Sequence, residues 1–232
     1  MKPTGRNAVM AQRREPPDSL DFFPTPPWAT RALLQHVIPD AHGTAWEPAC
    51  GEGHMAAVLE ERFARVIASD VHSYGGHYVG SFVGVGIDVI ACPRPRPDWV
   101  ITNPPFNLAV EFAERCVSEA GRGFALLLRT SWLEGVDRYQ RIFESWAPEI
   151  VAPFVERVPM TKGRWDPQAS TATSYAWFVW RRLPLLPGQT TLGSWSKSTS
   201  LIWIPPGCRQ RLTRPDDVQR FASVEIPHQS GP

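Results

Sequence analysis

Cysteine is scarce in this sequence and never clustered. Cys50, Cys92, Cys116 and Cys208 stand far apart, with no C-x-x-C pair and no Cys/His group. That argues against a disulfide framework or a zinc site, and leaves free thiols in a reducing compartment. Long apolar runs are missing too. "FALLL" (124–128) and "YAWFVW" (175–180) are among the longest, far short of the roughly 20 residues a membrane-spanning helix needs. No charged-then-apolar signal opens the sequence, so the expected location is cytoplasmic, with no membrane partner. Charge of one sign is lacking: a net +1 creates no general basic field of the kind that announces nucleic acid. Basic residues gather only locally, at Lys2, Arg6, Arg13 and Arg14, at Arg94 and Arg96, and at Lys162 and Arg164. Two phosphate grips are absent as well. Position 56 is Ala, which leaves G-x-G-x-x-G incomplete, and there is no Walker A lysine.

What is present suits one domain with a real core: 232 residues, 43% hydrophobic and 20% charged. Ten tryptophans and 24 prolines are an excess that composition alone does not turn into a function. Residues 1–19 read as a flexible, basic N-terminal segment. Residues 20–182 read as the main folded domain, and 183–232 as a loop, one extra strand and a polar tail from Pro205. "DFFPTPPWATRALLQHVIP" (21–39) enters a helix through prolines and leaves it at Pro39. "TAWEPAC" (44–50) is a strand, and "GEGHMAAVLEERF" (51–63) a glycine turn into a helix. Further strands are expected at "RVIASDV" (65–71), "GIDVIA" (86–91), "DWVIT" (98–102), "GFALLLRTSW" (123–132), "EIVAPFV" (149–155), "SYAWFVW" (174–180) and "SLIWI" (200–204). A helix after 106 shows Ala109, Phe112, Ala113, Cys116 and Val117 on one face, capped by Gly121, and another spans about 137–146. Alternating strands and helices predict an α/β, doubly wound, mainly parallel sheet with helices on both faces.

Ligands on such sheets bind at the carboxyl ends of the strands, where the unusual residues fall. In "EPACGEG" (47–53), Gly51 and Gly53 let the backbone turn and approach a ligand. Glu47 ends its strand, and Asp70 ends the next, at a spacing that suits the two hydroxyls of a ribose. Then "ITNPPF" (101–106) runs a strand straight into two prolines and an aromatic. An exocyclic amino group on adenine or cytosine is a poor nucleophile, because its lone pair is delocalised into the ring. Two acceptors on its two hydrogens favour a tetrahedral nitrogen and free that pair. The side-chain oxygen of Asn103 and the carbonyl of Pro104 are two such acceptors, and Pro104 and Pro105 hold them stiffly. Phe106 offers a face to stack the base, worth roughly 1–3 kcal/mol. A base in a duplex must be flipped out to reach this place.

"EPACGEG", then "ASD", then "ITNPPF" resemble the class I S-adenosylmethionine-dependent methyltransferases that act on amino nitrogens. "FPTPPW" ahead of the glycine turn is similar to the N-terminal cofactor motif of amino-methylating DNA methyltransferases. "LLLRTSWLEG" and "SYAWFVWRR" resemble the compact phage and prophage N6-adenine enzymes. The similarity covers roughly residues 20–182. It implies the Rossmann-like, seven-stranded methyltransferase sheet, S-adenosylmethionine as cofactor, and DNA as the partner, with a monomer or homodimer as the acting form. By the same resemblance Asn103, Pro104, Pro105 and Phe106 are catalytic. Thr25, Pro26, Glu47, Ala49, Gly51, Gly53, Asp70 and Asp88 hold the cofactor. No metal is implied. The implied reaction is methyl transfer to the exocyclic N6 of adenine. The alternatives are the N4 of cytosine, an RNA base, a protein glutamine, or a non-catalytic cofactor- or nucleic-acid-binding remnant.

Larger members of that family carry a separate target-recognition domain, for which little chain is left here. Sequence reading is therefore expected from the loops 72–86 and 156–173. In the second, "TKGRWDP" (161–167) offers Lys162 and Arg164 to phosphates and Trp165 to a base or the gap it leaves.

Overall fold

The computed structural model describes residues 22–72, 96–183 and 194–221. The expected strand 86–91, the residue Asp88 and nearly all of the loop 72–86 lie outside them, as does the segment 1–19. Seven strands form one sheet: β1 (Thr44–Glu47), β2 (Arg65–Ala68), β3 (Trp99–Thr102), β4 (Gly123–Arg129), β5 (Ile150–Pro153), β6 (Tyr175–Arg181) and β7 (Ser200–Leu201), in the order β2-β1-β3-β4-β6-β5-β7. Only β6 runs against its neighbours; the other pairings are parallel. This is the doubly wound, mainly parallel sheet that the alternation of strands and helices predicts, with β6 as its antiparallel strand.

Side chains of a strand alternate between the two faces, and the buried residues sort accordingly. Ala125 and Leu127 of β4 join Trp177 and Val179 of β6 on one face. Phe124, Leu126 and Leu128 join Ala176, Phe178 and Trp180 on the other. Both faces are covered, which is why these two strands read as unbroken apolar runs. On the first face lie α1 (Pro27–Ala32), continued by a wider turn through Leu33–Val37, and α2 (His54–Leu59). On the second lies α3 (Ala109–Glu119), which buries the Ala109, Phe112, Ala113 and Cys116 face expected of it. Ile142, from the wide turn Tyr139–Phe143 that continues the short α4 (Val136–Arg138), packs there too.

Tryptophan is core material. Trp28, Trp46, Trp99, Trp132, Trp165, Trp177 and Trp180 are all buried. Phe124 and Trp180 stack at 4.5 Å between centroids. Buried indoles need an acceptor: Trp46 donates to Ser69 Oγ, Trp177 to the Ala29 carbonyl and Trp180 to the Trp146 carbonyl.

Two expectations give way. Gly121 is not a left-handed helix cap, since its φ is not positive and α3 ends at Ala120 in extended backbone. Glycine is needed there for close approach instead: its N–H donates to the Pro97 carbonyl, and a Cβ would sit 3.0 Å from that oxygen. The chain after Pro205 is not all polar tail. It forms α5 (Cys208–Leu212) and α6 (Asp217–Phe221), which pack on the α1 side of the sheet. The cause is one buried cation. Arg31 is 7% exposed, 2.6 Å from Asp217 and 2.8 Å from Glu61, and it also donates to the Leu212 carbonyl. Among the described residues no helix is long and apolar enough to cross a membrane.

Candidate active site

β1 to β4 are parallel, so their carboxyl ends share one rim, and β6 starts at that rim with Tyr175 opposite Arg129. The winding reverses between β1 and β3, where open α/β sheets leave a crevice. Glu47 stands on one side of that reversal and Asn103 on the other.

The glycine turn is pinned to the end of β2. The Cys50 N–H donates to the Ser69 carbonyl, and the Gly51 N–H to Asp70 Oδ2 at 2.8 Å. Asp70 Oδ1 accepts from the His72 N–H. Gly51 has φ +52° and Gly53 φ +84°, a region that other residues enter only with strain. A Cβ on Gly51 would also meet the Phe22 ring at 2.3 Å. Glu47 is 2% exposed and its Oε2 has no hydrogen-bond partner. Burial, helped by the charge of Asp70, raises the Glu47 pKa well above the usual carboxylate range. Burial likewise pushes Asp70 up, against the hydrogen bonds from Gly51 and His72. The Cys50 thiol is pushed far up by burial and by these two acids, so it is no nucleophile. The carboxyl of Glu47 also accepts from the Ala56 N–H, and its unpartnered Oε2 beside the glycine turn fits a ligand that carries positive charge.

Across the crevice, Asn103 follows β3. Its Nδ2 donates to the Phe23 carbonyl at 2.9 Å, and Met160 Sδ lies 3.6 Å away. A carbonyl can only accept, so this contact sets which way the amide faces. Asn103 Oδ1 is then buried with no partner among the described residues. Pro105 holds extended backbone (φ −50°, ψ 128°), and a 3-10 turn over Phe106–Leu108 leads into α3. The Phe106 ring lies 5.6 Å from Phe23 and 6.0 Å from Tyr175, with the Arg129 guanidinium 4.6 Å from its centroid.

The segment 22–26 links the two halves. Phe22 rests on the glycine turn, Phe23 holds Asn103, and Thr25 and Pro26 are buried just ahead of α1. The Phe22 carbonyl accepts from Gly163, in the tight turn where Thr161 bridges to Arg164. Lys162 and Arg164 are therefore exposed beside the site. Trp165 is not: it is 5% exposed and packs edge-on to Phe221 at 6.3 Å. A ring held in the core cannot stack on a base, so the nucleic-acid role expected of Trp165 is withdrawn. Ala49 lies in the turn after β1. Sequence reasoning missed the Phe23 carbonyl, Met160, Arg129 and Tyr175. Arg129 stands in the quoted "LLLRTSW", but nothing there says which ring it covers. Among the described residues no group of three His, Cys, Asp or Glu could hold a metal ion.

No protein-family model matches this sequence, and no curated protein matches it. Solved structures do. A provisionally assigned RNA methyltransferase from Pyrococcus horikoshii has a TM-score of 0.50 at 14% identity, over 72% of this chain and 89% of that one. A dimethyladenosine transferase from Plasmodium falciparum has 0.43 at 13% identity, over 68% and 62%. A type I restriction-modification methyltransferase subunit from Streptococcus thermophilus has 0.44 at 10% identity, over 76% of this chain and 45% of that one. The first likeness identifies the class I, Rossmann-like methyltransferase fold.

Proposed function

We propose that this chain is an S-adenosylmethionine-dependent methyltransferase acting on the exocyclic N6 of adenine in DNA. The observation that carries the reading is Asn103: Nδ2 is spent on the Phe23 carbonyl, and Oδ1 is left buried without a donor. A buried acceptor with no partner costs about 1–3 kcal/mol. An amino group delivered to it would remove that cost.

The residues around it suit both reactants. The bound cofactor would supply a methyl group on a cationic sulfur. Glu47 Oε2, buried and without a partner among the described residues, suits the cofactor's positive charge, while Asp70 suits its ribose and Gly51 and Gly53 a close backbone approach. Asn103 Oδ1 and the Pro104 carbonyl accept the two amino hydrogens, which shifts the base nitrogen toward a tetrahedral geometry. With the cofactor bound, the lone pair freed by these two acceptors would be placed to receive its methyl group as the carbon–sulfur bond breaks. The methylated nitrogen carries one proton too many and is acidic enough to lose it to water, so no histidine base is assigned. His54 in particular is committed: its Nε2 donates to the Phe221 carbonyl, and burial lowers its pKa.

The test is to incubate the protein with S-adenosylmethionine and unmethylated duplex DNA, digest to nucleosides and identify them by mass spectrometry. N6-methyladenine is expected. N4-methylcytosine would keep the chemistry and correct the base. Transfer only to RNA or to a protein acceptor would move the substrate class, and no transfer to any of them would leave a binding remnant.

A further inference from the structure

Several arginines described here are spent on carboxylates. Arg31, Arg115, Arg122, Arg141, Arg181, Arg214 and Arg220 each face a carboxylate within 4.0 Å. Arg129 does not. It is exposed, ends β4 on the site rim, and has no carboxylate partner among the described residues. Its guanidinium instead lies over the ring of Phe106. Arg157, also exposed and without a carboxylate among the described residues, donates to Ser174 Oγ, next to Tyr175, the cross-strand partner of Arg129. One such cation thus covers the aromatic that the proposed chemistry offers to a base, and a second is bonded to the residue that precedes Tyr175.

A flat cation over an aromatic ring is a weak, exchangeable contact at an exposed site. A purine is flat as well and presents the same kind of face. A nucleotide that brings its base to Phe106 also brings its phosphates to the rim, where Arg129 and Arg157 stand. Guanidinium groups pair with phosphate oxygens through two parallel N–H bonds, a stronger contact than the ring provides.

We propose that Arg129 is a positioning residue for the DNA substrate. It covers Phe106 in this structure, gives way to the extruded base, and takes a backbone phosphate of that nucleotide, with Arg157 as a second cation for the strand. This rests on the reading of the chain as a DNA methyltransferase.

Salt dependence separates this role from a structural one. Each phosphate neutralised adds about 0.9 to the slope of log affinity against log salt. Binding of the full-length protein to a fluorescent, unmethylated duplex is measured between 50 and 200 mM salt, alongside methyl transfer to the same duplex. Arg129→Ala should lower the slope by about 0.9, so that wild type loses about 3.5-fold more affinity than the variant across that range. Arg129→Lys should keep the slope, because it keeps the charge, yet raise KM for DNA because an ammonium cannot form the two-bonded contact. Arg65→Ala removes an equally exposed charge at the opposite end of the sheet and should leave slope and KM alone. Equal slopes for wild type and Arg129→Ala would overturn the proposal. Wild-type binding without methyl transfer, with the Arg129 slope effect present, would remove the reaction and leave the phosphate contact. Absence of DNA binding by wild type would remove both.

Discussion

Asn103 and Glu47 hold opposite kinds of unsatisfied acceptor, one neutral and one acidic, and each yields a prediction. Asn103→Ala removes the acceptor without touching the glycine turn. Methyl transfer should fall by roughly 10²–10³, the range for loss of one organised transition-state contact. Binding of S-adenosylmethionine, followed by calorimetry, should persist; unchanged turnover would sink the catalytic assignment. Glu47 has a raised pKa in the folded chain against about 4.5 when exposed. Above 4.5 the unfolded chain has lost a proton that the folded chain still holds. Stability therefore falls as pH rises from there through the folded value. Glu47→Gln should flatten this part of the profile and give a melting point at pH 8 no lower than wild type. It should also weaken S-adenosylmethionine by roughly tenfold to a hundredfold, the worth of a hydrogen bond to a charged group. Parallel melting profiles between pH 5 and 8 would show that Glu47 does not carry the effect.

Elements explain why these residues meet. The turn from β1 to α2 needs glycine at 51 for two separate reasons, the left-handed φ and the Phe22 ring. Gly163 needs it only for its φ of +78°, since nothing lies within 4 Å of a Cβ there. Gly51→Ala should cost more than the roughly 1–2 kcal/mol of left-handed strain, and Gly163→Ala about that strain alone. Thermal melts of the two variants compare them directly, and equal losses would mean that Phe22 moves freely. The turn and strand of this unit were legible from "EPACGEG" and "ASD", because glycine spacing and an acid at a strand end are local signals. The partner of Gly51 was not legible, because Phe22 lies 29 positions earlier and only the tertiary fold lays it on the turn.

For the whole molecule, the chain after Pro205 matters more than its polar composition suggests. Asp217 is fully buried against Arg31, and the Phe221 carbonyl accepts from His54 at the entrance of α2. The last described helix is thereby tied both to α1 and to the helix that follows the glycine turn. Asp217→Ala leaves the buried Arg31 with Glu61 as its one carboxylate beside the Leu212 carbonyl, and breaking such a pair costs about 3 kcal/mol or more. For a chain of this size the melting point should drop by about 6–12 °C. A drop of under 2 °C would mean that Arg31 re-pairs with Glu61 at no loss.

Local chemistry and period were enough to read the α/β class, the described strands between 44 and 180 and the Asn-Pro-Pro-Phe turn from sequence. Glycine, proline and alternating apolar runs act on their immediate neighbours, so their meaning survives without a fold. What required tertiary structure is every contact between distant segments. The Phe23 carbonyl chooses the face that Asn103 presents, 80 positions away. Phe221 draws Trp165 into the core, and Arg31 reaches Asp217 across 186 positions to turn an apparent tail into packed helices. Arg129 covers Phe106 because β3 and β4 are parallel neighbours whose carboxyl ends meet at one rim. Such pairings depend on where the chain returns in space, which no local pattern encodes.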